Sequence, residues 1–207
     1  MEILTPRPKA RAPRPARPIG LHLGGAARAL AAGLLVSVVW VSAAGMGQAQ
    51  APPLEYSVKA NFLYKFAPFV EWPAQAFSSA TSPFNVCVAG LDPFDGALVQ
   101  ATRGQTVRGH PIVVRRLPDA PGQTDCHILY VGRSGTTKSS DILRALNGAP
   151  VLTVTDERQG VDGGVIHFVV RDGKVRFGIN PASAQARGLI ISSKLLGLAV
   201  AVRPVGG

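Results

Sequence analysis

The stretch VIHFVVRDGKVRFGI, Val165–Ile179, decides the fold. Two runs rich in β-branched and aromatic residues flank Asp172-Gly173, the strongest short signal for a hairpin turn. A two-residue turn there pairs Val170 with Val175, Phe168 with Phe177 and Ile166 with Ile179. All six then share one face, as a half-buried sheet requires. His167 falls on the other face, opposite Gly178.

Upstream, apolar runs alternate with short helical patterns. Phe84–Leu91 reads as a strand, and Asp92-Pro93 opens a helix over Phe94–Thr102. Ile112–Leu117 and Cys126–Val131 read as strands, with a loop over 118–123 between them. Asp141–Leu146 is a short helix closed by Asn147-Gly148, and Val151–Thr155 is another strand. Downstream, Asn180-Pro181 starts a helix ending at Gly188, Leu189–Ile191 is extended, and Ser192 caps a last helix. The pattern predicts one α/β domain, a mixed sheet of five to six strands flanked by helices.

The first element of that domain is SVKANFLYKFAPFVEWP, Ser57–Pro73. At 100° per residue Val58, Phe62, Leu63, Phe66, Phe69 and Val70 share one arc, which predicts a helix kinked at Pro68 and stopped by Pro73. Lys59 lies within the arc and is expected to snorkel outward from the first turn. Trp72 projects off the arc, so Phe69 and Trp72 are candidates for an aromatic docking surface; the alternative is that Trp72 merely covers the edge of the core.

Residues 1–28 are basic and proline-rich, Ala29–Ala44 is an apolar run of 16 residues, and Gly47-Gln48-Ala49 places small residues at −3 and −1 of a break before Gln50. This is the order of a secretory signal peptide, and the run is short for a bilayer span of about 20 residues. The reading is a leader over 1–49 and a single domain over 50–207, with an uncleaved anchor as the alternative. Mass spectrometry of the envelope fraction should find a chain beginning at or near Gln50. Recovery of intact residues 30–49 would establish the anchor instead.

The leader carries six of the 22 basic residues and one of the 12 acids, so residues 50–207 hold a net +5 of the chain's +10. The remaining bases are scattered, with no run longer than Arg115-Arg116. That excludes a nucleic-acid patch as the basis of function.

Cys87 and Cys126 are the only cysteines, both in the exported part. An oxidising compartment predicts a disulfide, the alternative being two buried thiols; neither spacing nor a CxxC pattern suggests a metal site. Gly132–Ser139, GRSGTTKS, approaches a phosphate loop, but Thr137 stands where the second glycine is needed. Ser134 lacks the glycine two residues on that a nucleophile elbow requires. His110, His127 and His167 have no acid at motif spacing. No enzyme, cofactor or metal is expected. One rival reading is a small-ligand-binding protein using Asp92 and the 132–139 loop at strand ends.

Ser57–Phe66 continuing to Phe69–Pro73, Val151–Thr155, the Gly163-Gly164 turn, Phe177–Asn180 and Ile191–Leu196 together resemble the YfiR-like periplasmic proteins, over nearly all of 55–200 and in the right order. Cys87 and Cys126 sit where that family has a cysteine pair. The resemblance implies a periplasmic α/β domain, often dimeric, that is not an enzyme. It implies repression of an inner-membrane diguanylate cyclase through its periplasmic part, lowering cyclic-di-GMP and biofilm formation. Another membrane signalling protein, such as a histidine kinase, is the alternative partner. The family's name-giving member carries a second cysteine pair linked to redox control; this chain has no further cysteines, so Cys87–Cys126 is expected to be structural.

Overall fold

The computed structural model describes residues 54–117 and 124–203. The leader, its boundary at 49/50 and the 118–123 loop lie outside the described residues.

Strands β2 (Phe84–Ala89), β4 (His110–Leu117), β5 (Ile128–Val131), β6 (Leu152–Asp156) and β7 (Ile166–Arg171) form a parallel array in the order β4-β2-β5-β6-β7. The hairpin adds β8 (Lys174–Ile179) antiparallel to β7, with Ile166 opposite Ile179, Phe168 opposite Phe177 and Val170 opposite Val175. The predicted register therefore holds. The sheet has eight strands where five to six were expected. The excess is two edge strands of two residues each, β3 (Thr106–Val107) and β10 (Ala201–Val202), too short to carry a periodic signal. Helices α2 (Ala97–Thr102), α3 (Ser139–Ala145), α4 (Pro181–Gln185) and α5 (Ser193–Leu198) fall close to their predicted places. Asn180 and Ser192 cap α4 and α5 as expected, accepting from the amides of Ser183 and Leu195.

Successive side chains on a strand face opposite ways, so the central strands feed two cores. Phe84, Val86, Val88, Ile128, Tyr130, Leu152 and Val154 pack towards the first helix. Cys87, Ala89, Leu129 and Val131 pack towards Ile142 and Leu143 of α3 and Leu146 just after it.

The first helix departs from its prediction in three ways. Helix α1 spans Leu54–Lys65, and Ala67–Phe69 form a single 3-10 turn before the short strand β1 (Val70–Glu71). Pro68 thus ends the helix instead of kinking it. It has no N–H to give, and its ring would meet the carbonyl four residues back. Lys59 then lies in the second turn and is fully buried. Its stem cannot reach the surface, and its charge is answered inside. Finally, the backbone at Trp72 follows an extended segment, not a helix. Residues two apart on a strand share a face, so Trp72 joins Val70 inside; it is 9% exposed. It meets Phe84 edge-on at 5.2 Å and donates to the His127 carbonyl.

Candidate functional site

The C-terminal ends of β2 and β5 are where a parallel sheet of this order would open a ligand crevice. Here they are closed. The Leu91 amide donates to the Arg133 carbonyl and the Gly132 amide to the Ala89 carbonyl. A Cβ at Gly132 would lie 2.3 Å from the Leu91 carbonyl oxygen, and one at Gly90 2.8 Å from that of Gly132. Only glycines let the two loops touch in this way. Asp92 is taken up by the Phe94 amide and by Arg116. Ser134 accepts from the amides of Thr136 and Thr137, which folds the near-phosphate loop into a local turn.

The three described histidines do not bond one another, although His110 and His127 both stack on Phe77. His110 bonds the Ser82 carbonyl, His127 the Asn85 amide, and His167 the Thr155 hydroxyl. Among the described residues, no three His, Cys, Asp or Glu side chains come together in a way that could hold a metal.

Beside the ends of β5 and β6 lies a buried charged cluster. The Lys59 ammonium donates to both oxygens of Asp156 at 2.7 and 2.8 Å and to Glu55 at 2.6 Å. The Tyr130 hydroxyl and the Arg158 amide also donate to Asp156. Burial, then the Asp156 carboxylate, pushes the Tyr130 phenol above its ordinary range, so it remains a donor. Every hydrogen of the ammonium has an acceptor, the condition for burying a charge. The cluster pins α1 onto the sheet. Sequence spacing alone missed it, because Lys59 and Asp156 are 97 residues apart. The available signal was a lysine in the middle of an apolar stripe.

Cys87 on β2 and Cys126 ahead of β5 form a disulfide, with Cα atoms 5.9 Å apart. It closes the chain around β4 and the 118–123 loop, and its sulfurs sit in the α3-side core.

Phe69 is partly buried, at a junction the sequence did not foretell. Strand β1 pairs antiparallel with β9 (Ile190–Ile191), Val70 opposite Ile191 and Glu71 opposite Ile190. The Ser192 amide donates to the Phe69 carbonyl. Next to this ladder is an apolar groove of about 260 Å³ lined by Pro181, Gln185, Leu189, Ile190, Ile191 and Leu196. Ile190 is 62% exposed. The structure thus brings Phe69 beside the 189–196 stretch but turns Trp72 inward behind it. A second groove, of about 480 Å³, lies on the β7, β8 and β10 face that α3 leaves open, between the Asp162–Arg203 and Glu157–Arg171 pairs.

A family model described as YfiR/HmsC-like matches residues 56–200, from α1 through α5. The chain belongs to the YfiR/HmsC-like family. No curated protein matches it. The YfiR/HmsC-like proteins are, as a family, periplasmic regulators of diguanylate cyclases and not enzymes. Among the described residues of this member, no helix is long and apolar enough to cross a membrane.

Proposed function

We propose that this protein is exported and acts by binding alone, repressing the periplasmic part of an inner-membrane diguanylate cyclase and so lowering cyclic-di-GMP. The observation that carries the reading is the family match over 56–200, which takes in the whole described domain except its ends. A repressor without chemistry works by preferring one state of its partner. Moving a two-state cyclase from 99:1 to 1:99 needs a preference of about 5.5 kcal/mol. Such an interface needs a desolvated apolar centre. The junction of β1 and β9 supports that role: exposed Ile190 lines an apolar groove, and partly exposed Phe69 meets the same stretch through its carbonyl's bond to the Ser192 amide. Trp72 contributes from behind by fixing the course of β1.

Deletion of the gene should raise cellular cyclic-di-GMP. Ile190→Asp and Phe69→Ala should each reproduce that rise while the purified variants keep the wild-type circular dichroism spectrum. A deletion that leaves cyclic-di-GMP unchanged removes the cyclase as partner. Variants that repress fully remove this junction from the interface.

A small-ligand role is the second reading. The groove on the open face of β7, β8 and β10 favours it, in place of the closed strand ends. A metabolite screen by thermal shift tests it, since a ligand bound only by the native state raises the melting temperature.

A further inference from the structure

Residues 74–83 connect β1 to β2 across the N-terminal edge of the sheet. The hydrogen bonds among their described residues are local: Ala76 to Pro73, Phe77 to Ala74, Ser82 to Ser79. The one that reaches the sheet runs between the Ser82 carbonyl and His110 Nδ1 at 2.6 Å. What fastens the segment is a ring. Phe77 lies stacked between His110 and His127, with centroids 4.5 Å from each, and His127 stacks in turn on Phe84 at 4.6 Å.

His127 is 3% exposed and is held in one protonation state. Its Nδ1 accepts from the Asn85 amide at 3.0 Å, so the ring is neutral with its proton on Nε2. That Nε2 is buried without a hydrogen-bond partner; the Ala76 carbonyl attracts it from outside bonding geometry. A second proton on Nδ1 would face the Asn85 N–H, donor against donor. The aromatic faces of Phe77 and Phe84 favour a cation, but burial outweighs them and holds the imidazole below its ordinary pKa. His110 on β4 pushes the same way, while Asp125 opposes. Asp125 is already engaged by Arg115 and by the Asn85 side chain. Residues 74–83 carry no ionisable side chain that could compensate.

We propose that the His110–Phe77–His127 stack is an acid-released latch, in which protonation of His127 expels Phe77 and frees residues 74–83 from the edge of the sheet. A group whose native pKa is depressed favours the closed form fully above its unfolded pKa of about 6.5 and loses that preference as pH falls below it. The latch is therefore shut at neutral pH and opens on the acid side.

Hydrogen exchange on residues 50–207, corrected for intrinsic rates, tests this. Between about pH 7.5 and pH 5, protection of residues 74–83 and of the Asn85 amide should fall roughly tenfold or more. Protection in the β7–β8 hairpin should stay level. In His127→Asn the amide oxygen can replace Nδ1 as acceptor but cannot take up a proton, so the pH dependence should vanish. Equal protection at the two pH values, or a pH dependence that persists in His127→Asn, overturns the proposal. If that variant does not fold, the wild type decides: the NMR titration midpoint of the His127 ring must coincide with that of segment opening, and separate midpoints overturn it.

Discussion

Lys59→Met lowers stability by about 3–5 kcal/mol, because it leaves Asp156 buried with its charge unanswered. For a domain of this size that is a fall in melting temperature of roughly 6–20 °C. Methionine keeps the stem's volume, so little of the loss comes from a cavity. The second half of the test is a double variant. Lys59→Met with Asp156→Asn removes both charges; the Asn oxygen still accepts from the Arg158 amide, and its NH2 can donate to the Tyr130 hydroxyl, which then turns from donor to acceptor. It should recover roughly half or more of the loss, because the two residues act as one unit. Thermal unfolding of the three proteins is the measurement. A single variant melting within about 2 °C of wild type would show that Asp156 finds another cation or takes up a proton at little cost.

Opening Cys87–Cys126 comes next in size. The cysteines are 39 residues apart, and the loop-entropy estimate for such a loop is about 4 kcal/mol. Cys87→Ser with Cys126→Ser should show that loss by urea unfolding, and reduced wild type should match it. Denatured but unreduced protein should show no free thiol. Because both sulfurs pack against Leu129 and α3, the loss should appear as global destabilisation, without a change in which partner is bound. A double-serine variant as stable as wild type would make the bridge dispensable.

What the sequence made legible was local. The hairpin register followed from one turn dipeptide and a period of two, both confined to 15 residues. The helix caps at Asn180 and Ser192 followed from single side chains and the amides beside them. The first helix was misread at its ends. Its periodic signal ran on through Phe69 and Val70, although those residues are apolar because they approach the core as extended chain, where a different period applies. The same misreading placed Trp72 outside and gave Lys59 a route to solvent. Of the two docking candidates, Phe69 lies at a partly exposed junction and Trp72 is buried behind it. The junction itself could not be seen, since nothing local to 69–71 specifies pairing with 190–191. Strands β3 and β10 are set by their neighbours' open edges rather than by any pattern of their own.

Pairing of β1 with β9 has a consequence for the order of events during synthesis. Val70 leaves the ribosome long before Ile191, its ladder partner, and Lys59 waits 97 residues for Asp156. Contacts of such separation are closed late and slowly. Helix α1, with Leu63 unburied, is too short to hold its shape alone in water. The nascent chain therefore remains pliable until its final fifth has been made. For the exported protein proposed above, a secretion channel that accepts only unfolded polypeptide would meet a substrate whose first helix cannot lock prematurely.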